Sequence, residues 1–325
     1  MGAAPRVGLV VPNRWTGPGP TIASLRSFYG QADAWDIDSL WVTDRLIHST
    51  VSMLSPLLLL TYAAALTNRV RLGTIVMVLS VRPTLEVARQ AATVDYLSGG
   101  RQTLGVSIGA RGPEVELMRD RPGGPREFEA SLDLLRVFWG MPPVGHRAED
   151  LPEVPPMHPR PVQPGGIPIM IGAGSRKEAG VRRAGRLADG WLMGTPGTTV
   201  EDFVRGWDLV RESAVEAGRD PSTLRNGKLV YARVTGESPS ARAAARADID
   251  REIDNYYGPL KLQHHIVAGP VQEIAEVVMA YGEVGCQQVV LFCPGADTAR
   301  LEQLAEVATV VREAGGAQET APADR

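Results

Sequence analysis

The sequence has few of the residues that cross-linked or metal-stabilised proteins depend on. Among its 325 residues there are two cysteines, Cys286 and Cys293. Two cysteines cannot build a disulfide framework, and their spacing does not match a CxxC zinc knuckle. The adjacent His264 and His265 have no second pair of ligands at zinc-like spacing. We therefore expect no metal site and no disulfide-stabilised scaffold.

Long hydrophobic runs and an excess of basic residues are also missing. The most apolar stretch, residues 56–66, is about two-thirds of the length that crosses a bilayer. The N-terminus lacks the basic and apolar segments of a secretory signal. The formal net charge is −3, whereas nucleic-acid-binding domains usually carry a basic surface. We expect a cytoplasmic protein that binds neither a membrane nor nucleic acid.

Short β-branched runs alternate with longer helical patterns along the whole chain. Apolar strands separated by helices are typical of a parallel sheet covered by helices. Eight such units predict an α/β fold, a closed (β/α)8 TIM-type barrel. A doubly wound open sheet is the alternative, but residues 10–20 lack the glycine-rich phosphate fingerprint of that architecture. The predicted strands are residues 7–12, 39–43, 71–79, 102–107, 167–171, 190–193, 227–234 and 287–292.

The pattern predicts one barrel domain, residues 1–314, interrupted by an insertion at residues 111–166 between the fourth and fifth strands. Nine prolines fall between Pro142 and Pro168, which is typical of an excursion on a scaffold and not of a separate core. We expect this proline-rich segment to contribute to substrate specificity. Residues 315–325 are predicted to form a disordered tail.

Several motifs occur in the order seen in the bacterial luciferase-like flavin oxidoreductases. The longest is RLGTIVMVLSVRPTLEVARQAATVDYLSGGRQTLGVSIG at residues 71–109. Shorter ones are WVTD at 41–44, PIMIGAGS at 168–175 and ADGW at 188–191. Together they cover most of the chain, so the sequence resembles that family. The resemblance implies a TIM-type barrel that holds a flavin or a deazaflavin at the C-terminal ends of its strands, where barrel enzymes keep their sites.

The resemblance also implies residues that would hold the redox-active ring. Family members carry a non-proline cis peptide in the third strand, behind the ring, and the matching pair in this chain is Ile75–Val76. The alternative is that these two residues are ordinary members of the barrel core. The loop after the fourth strand would approach the ring through its backbone. Some deazaflavin reductases have an acidic residue in this loop, and its absence here argues against a mechanism borrowed from sugar-phosphate dehydrogenation. The loop residues are Ser107, Ile108, Gly109 and Ala110.

A phosphate site is predicted at Gly172, Ala173, Gly174 and Ser175, between a buried strand and the start of a helix. Glycines let backbone N–H groups approach an anion, Ser175 adds a hydroxyl, and the helix dipole favours negative charge there. The alternative is a tight turn in which Ser175 caps the helix. The family pattern places the cofactor phosphate near this turn, which favours binding.

Candidate catalytic residues follow the second strand. In the deazaflavin branch of the family, the two residues at the end of the second strand are usually Asp-His. This chain has Asp44 and Arg45 there, and His48 follows three residues after Arg45. Arginine can stabilise negative charge but is a poor proton shuttle, whereas histidine titrates near neutrality. The alternative is a rim ion pair of Asp44 with Arg45 and a surface His48. Candidate walls of the substrate pocket, which could equally be packing residues, are Asn13, Trp15 and Trp191.

These observations predict an oxidoreductase that uses the deazaflavin coenzyme F420 for hydride transfer to or from a small organic substrate. The preference for F420 depends on Asp44 and on a composition with only three lysines among 34 basic residues, typical of a GC-rich genome. A monooxygenase using reduced FMN is the alternative, and a non-catalytic flavin-binding protein is a second alternative. The resemblance further implies a homo-oligomer, at least a dimer.

Overall fold

The structure is a computed structural model that describes residues 4–109, 117, 124–155, 157–175, 177–194, 198–257, 266–295 and 297–319. Ala110, most of residues 111–123, and His264 and His265 lie outside the described residues.

Eight parallel strands form a closed barrel. The barrel closes because the last strand pairs with both the first and the seventh, while the sixth pairs with both the fifth and the seventh. The predicted TIM-type (β/α)8 barrel is therefore confirmed. The barrel strands are β1 (Arg6–Val10), β3 (Ser39–Val42), β5 (Arg71–Thr74), β7 (Gln102–Ser107), β8 (Ile169–Gly172), β9 (Gly190–Met193), β10 (Arg225–Val234) and β12 (Gln288–Phe292).

Four shorter strands accompany the barrel. β2 (Arg14–Trp15) pairs antiparallel with β4 (Ser52–Met53) near the C-terminal ends of the first two barrel strands. β6 (Met77–Val78) continues the line of β5 and pairs with β7. β11 (Ile266–Gly269) pairs with the C-terminal half of β10. The sequence pattern predicted neither the β2–β4 pair nor β11, because two to four residues are too few for a periodicity.

Helices cover the outside of the barrel, except for the helix Pro239–Tyr257, which packs across its mouth. They are α1 (Ile22–Ala32), α2 (Pro56–Leu66), α3 (Thr84–Ser98), α4 (Pro125–Phe138), α5 (Glu178–Leu187), α6 (Val200–Glu216), α7 (Pro239–Tyr257), α8 (Val271–Glu283) and α9 (Thr298–Glu319). Within the described residues, none of these helices combines the length and the apolar character needed to span a membrane.

The lower part of the barrel interior is filled by Trp41. Its indole N–H donates to the Ser39 hydroxyl at 2.8 Å. Glycines on the two neighbouring strands make room for the ring: a Cβ at Gly8 would lie 2.8 Å from the indole nitrogen, and one at Gly73 would lie 2.5 Å from a ring carbon. The interior is therefore a packed core below an open mouth, as in other barrels of this type.

The proline-rich segment lies at the opposite end of the barrel from the mouth. Asp95, near the end of α3, accepts hydrogen bonds from the backbone N–H groups of Val162 and Gln163 at 2.8 and 3.3 Å. The Gln163 side chain also donates to the carbonyl of Gln102, the first residue of β7, at 2.9 Å. None of the described residues between Pro142 and Pro168 lines the cavity at the mouth, so a role of this segment in substrate specificity stays a prediction.

The last helix extends beyond the predicted end of the domain. α9 continues to Glu319, four residues past Gly315, where we expected the disordered tail to begin. Gly315 allows close contact with the N-terminus, since a Cβ there would lie 2.6 Å from the Cβ of Ala4. Residues 320–325 lie outside the described residues.

Candidate active site at the mouth of the barrel

A cavity of about 870 Å³ opens at the C-terminal ends of the barrel strands. Its volume is within the range of roughly 300–1,000 Å³ that is usual for ligand sites. Predicted cofactor residues from four different strand ends meet in its wall. They are Asp44, Ile75, Val76, Ser107, Ile108, Gly109, Gly172, Ala173, Gly174 and Ser175.

One wall of the cavity is formed where β5 ends and β6 begins. The peptide bond between Ile75 and Val76 is cis, as the resemblance implied. Ile75 packs into the barrel interior, and Val76 packs against the backbone of β8: a Cβ at Gly172 would lie 2.7 Å from a Val76 methyl group. These two residues give the cavity a smooth apolar surface at its centre.

The described residues of the adjacent loop, which follows β7, contribute backbone groups and a hydroxyl but no charged side chain. Gly109 has φ +82°, and a Cβ there would lie 2.7 Å from a Val78 methyl group, so only glycine fits without strain. The Ser80 hydroxyl donates to the carbonyl of Ile108 at 2.6 Å and fixes the loop. Ser107, Ile108 and Gly109 line the cavity without a carboxylate among them.

Asp44 is held in a buried ion pair. Its carboxylate oxygens both lie 2.9 Å from Nη2 of Arg82, and one of them accepts the backbone N–H of Val78 at 3.0 Å. The Asp44 side chain is 1% exposed. Asp44 therefore ties the end of β3 to β6 and to the start of α3, while the residue still borders the cavity. The sequence motifs contained Arg82 but gave no signal that it pairs with Asp44.

The predicted phosphate turn contains a buried hydroxyl without a partner. The Ser175 hydroxyl is shielded from solvent and makes no hydrogen bond, although it borders the cavity. It does not cap α5, which begins at Glu178 without a side-chain cap. The capping alternative is therefore wrong, and the turn keeps a donor available for a ligand. The cations Lys177 and Arg183 line the same end of the cavity.

Trp191 supports this turn from behind and does not line the cavity. The side chain is completely buried between β9 and α6, where it stacks on Phe203 with ring centroids 5.6 Å apart. Its indole N–H donates to the carbonyl of Ala173 at 2.9 Å. Of its two neighbours in β9, Leu192 faces the cavity instead. The structure thus places Trp191 as a packing residue that positions the phosphate turn.

His48 also lies outside the cavity wall. Its Nδ1 accepts the backbone N–H groups of Thr50 and Val51 at 3.2 and 3.1 Å, so Nε2 carries the proton and faces the carbonyl of Tyr256 at 3.3 Å. The imidazole lies parallel to the Tyr256 ring, with centroids 5.8 Å apart. In this arrangement His48 organises the loop after β3. Arg45 does line the cavity, and its guanidinium donates to the same Tyr256 carbonyl.

Asn13 and Trp15 likewise stand behind the cavity. The Asn13 amide donates to the carbonyl of Thr43 at 2.7 Å and accepts from its hydroxyl at 3.0 Å, which fixes the end of β3. Trp15 packs over Gly19, where a Cβ would lie 2.3 Å from the indole. Neither residue borders the cavity, whose wall in this region is formed by Thr43 itself.

Three tyrosines form a wall that the sequence did not predict. Tyr231 comes from β10, and Tyr256 and Tyr257 come from the end of α7, which lies across the mouth. The Tyr256 hydroxyl donates to the carbonyl of Asp44 at 2.9 Å. Burial raises the pKa values of Tyr231 and Tyr256 well above the ordinary tyrosine range, so both hydroxyls keep their protons. Tyr231 could have been found from its spacing of two from Leu229, which also faces the cavity.

Comparison with solved structures shows the same fold. An F420-dependent secondary alcohol dehydrogenase in complex with an F420-acetone adduct superposes with a TM-score of 0.72 at 18% identity, covering 96% of this chain and all of that one. The monooxygenase RslO1 from Streptomyces bottropensis gives 0.71 at 19% identity, covering 95% and 98%. At these identities the likeness shows the fold alone.

Comparison with known sequences gives the family. The chain is 32% identical over 195 residues to the 4-hydroxyprotoasukamycin monooxygenase of Streptomyces nodosus subsp. asukaensis, covering 58% of this chain and 52% of that protein. It is 27% identical over 321 residues to the F420-dependent glucose-6-phosphate dehydrogenase of Kineococcus radiotolerans, covering 85% and 88%. It thus spans about half the length of the first relative and most of the second. A family model described as luciferase-like monooxygenase matches residues 6–288, so the chain belongs to the luciferase-like monooxygenase family.

Proposed function

We propose that the protein is an oxidoreductase that binds the deazaflavin coenzyme F420 and transfers hydride to or from a small organic substrate. The observation that carries this proposal is the convergence of the predicted cofactor residues on one cavity, with the unpartnered Ser175 hydroxyl at its phosphate end. The choice of F420 is supported by the relative that matches over 88% of its length and is F420-dependent by name.

The residues present fit a cofactor with a planar ring and a phosphorylated tail. Ile75 and Val76 offer an apolar surface for one face of a ring. The turn from Gly172 to Ser175 offers backbone N–H groups and a free hydroxyl for a phosphate, at the N-terminal end of α5. The two features lie on neighbouring walls of one cavity, because Val76 contacts Gly172.

A bound deazaflavin would supply two-electron hydride chemistry with little reactivity toward oxygen. The chain would then provide orientation and charge. The Ile75–Val76 wall supports the ring and excludes water from its back face. The permanently charged guanidinium of Arg45, which borders the cavity, stabilises negative charge that develops on the substrate.

The substrate of the glucose-6-phosphate dehydrogenase relative is not carried over to this chain. The loop of Ser107, Ile108 and Gly109 brings no carboxylate to the cavity. Asp44 is engaged by Arg82 at 2.9 Å. The described part of the loop after β7 therefore lacks the acidic group that we associate with sugar-phosphate dehydrogenation, and we expect a different substrate.

Titration of the purified protein with each cofactor tests the proposal. F420 fluorescence should be quenched at micromolar protein, and reduced FMN should bind more weakly. Preferential binding of reduced FMN, with oxygen consumption, would favour the monooxygenase alternative. Tight binding of either cofactor without turnover across a substrate panel would favour a non-catalytic flavin-binding protein. Retention of neither cofactor would refute all three.

Replacing Ser175 with alanine should weaken cofactor binding by about tenfold to a hundredfold, the value of one hydrogen bond to a charged group. The melting temperature should stay unchanged, because the hydroxyl has no partner in the protein. Fluorescence titration gives the first quantity and thermal unfolding the second. Ser222→Ala, at an exposed serine, is the control. A lower melting temperature with unchanged affinity would contradict the phosphate assignment.

We also propose that the protein forms a homodimer. α2 buries Leu57, Leu59 and Leu60 against its own barrel, whereas Leu58 on the same helix is 67% exposed. The resemblance to the family implies a homo-oligomer, and we propose that Leu58 lies in its interface. Sedimentation equilibrium should give twice the chain mass of 34.9 kDa, and a monomer at micromolar concentration would exclude this assembly.

A further inference from the structure

Arg14 is a buried cation that forms no ion pair with any of the described residues. The residue is 4% exposed, and both terminal guanidinium nitrogens are shielded from solvent and lack a hydrogen-bond partner. No carboxylate of the described residues lies within 4 Å of it. Arginine stays protonated in proteins, so the positive charge persists. A buried and unpaired charge is costly to keep, and a natural protein that keeps one usually uses it.

Aromatic rings hold the guanidinium in place. Its central carbon lies 3.8 Å from the centroid of the Tyr256 ring and 4.6 Å from that of Phe292. Such cation–π contacts orient the group and offset part of its desolvation, but they supply no acceptor for its N–H donors. The five donors of arginine form a planar fork that matches a carboxylate, and here the terminal nitrogens of that fork have no acceptor.

A second unpartnered donor stands in the same cluster and borders the cavity. The Tyr231 ring packs on Phe292 with centroids 5.2 Å apart, and its hydroxyl stands beside Arg14 and Tyr257 without a hydrogen bond of good geometry. Tyr231 lines the cavity, while Arg14 lies behind the tyrosine wall. The hydroxyl keeps its proton and so can donate. An anion beside Tyr231 would accept this hydrogen bond. It would also be attracted electrostatically by Arg14, because the protein between them has a low dielectric constant.

We propose that the tyrosine end of the cavity, with Tyr231 in its wall and Arg14 behind it, recognises a carboxylate on the substrate. The surrounding wall of Leu229, Tyr256 and Tyr257 is apolar and aromatic, so the carboxylate belongs to an aromatic or otherwise hydrophobic acid. This assignment deepens the proposed function, on which it rests. The cavity then has two anion-binding ends, one at Ser175 for the cofactor phosphate and one at Tyr231 for the substrate.

Calorimetric titration with benzoate and benzamide tests the assignment, since the two probes share a shape and differ in charge. The purified full-length protein should bind benzoate at least about tenfold more tightly than benzamide, as expected for a charge-assisted hydrogen bond. Arg14→Met, which keeps the length of the side chain, should weaken benzoate about tenfold and leave benzamide unchanged. Tyr231→Phe, which removes one hydroxyl, should weaken benzoate several-fold. Arg89→Met, at an exposed arginine, is the control and should change neither.

Three results would overturn the assignment: equal affinities for the two probes, benzoate affinity unchanged in Tyr231→Phe, or no heat at millimolar benzoate. Circular dichroism identifies an Arg14→Met protein that fails to fold, in which case Tyr231→Phe decides. The cofactor titration on the same preparation separates this inference from the proposed function. Benzoate binding that depends on Arg14 or Tyr231, in a protein that retains neither cofactor, would leave the anion site intact and remove only the redox role.

Discussion

Arg82→Met is expected to lower the free energy of unfolding by about 3–5 kcal/mol, the usual cost of removing one partner from a buried ion pair. Nη2 of Arg82 lies 2.9 Å from both carboxylate oxygens of Asp44, whose side chain is 1% exposed. Without this cation a carboxylate stays buried beside the apolar wall of the cavity. Denaturant unfolding followed by circular dichroism measures the loss.

Two further variants separate charge burial from a general effect of the substitution. Arg89 forms an ion pair with Glu86 in which the side chains are 63% and 44% exposed, so Arg89→Met should change stability by less than about 1 kcal/mol. Adding Asp44→Asn to Arg82→Met should restore part of the lost stability, because the buried side chain at position 44 then carries no charge. Similar losses in Arg82→Met and Arg89→Met would show that the Asp44 pair contributes no more than a surface contact.

The barrel followed from the order of the strands, whereas most residues of the site came from the resemblance to the family. The C-terminal ends of parallel strands meet at one edge of a barrel, so residues that directly follow predicted strands are brought together whatever their separation in the chain. In this way Asp44, Gly109 and Ser175 meet around one cavity. Val76 lies in the same wall but falls inside the predicted strand 71–79, and it was singled out by the resemblance. Errors of one or two residues in a strand boundary did not matter, since backbone and loop groups dominate this wall.

Side-chain direction was predicted less well. Barrel strands are buried on both faces, so an apolar run does not show which residues point into the barrel. In β9, Trp191 points outward to Phe203 and Leu192 points to the cavity, although both are apolar. The alternation is fixed only when the strand is paired with its neighbours.

Long-range contacts of single side chains were outside the reach of the sequence. The Tyr256 hydroxyl meets the carbonyl of Asp44 across 212 positions of the chain, because α7 crosses the mouth of the barrel and does not lie along its side. A helical pattern does not distinguish these two placements. For the same reason the uncompensated charge of Arg14, whose neighbours Tyr256 and Phe292 come from the last quarter of the chain, becomes visible only in the structure.

Lys228→Met is expected to stabilise the protein, by on the order of 3 kcal/mol at pH 6. Lys228 lies in β10, is 4% exposed, and donates from its ammonium group to the Thr198 hydroxyl at 2.8 Å. Burial lowers its pKa from the ordinary 10.5 to about 7, although Cys286 and Asp202 act in the opposite direction. Methionine fills a similar volume without the cost of burying a charge, and this gain outweighs the lost hydrogen bond of about 1 kcal/mol.

The stabilisation should disappear as the pH rises, because the penalty depends on the proton. Below pH 7 the amine is charged in the folded and unfolded states, so the full penalty is present. Between about pH 7 and 10.5 only the unfolded chain keeps the proton, so the stability of the parent rises with pH relative to that of Lys228→Met. The quantity to compare is the difference in unfolding free energy between variant and parent at each pH. In this difference, the titration of groups that do not interact with Lys228 cancels. Lys177→Met, the same change at an exposed lysine, should show no such trend. A pH-independent difference for Lys228→Met would mean that the buried amine keeps the pKa it has in the unfolded chain.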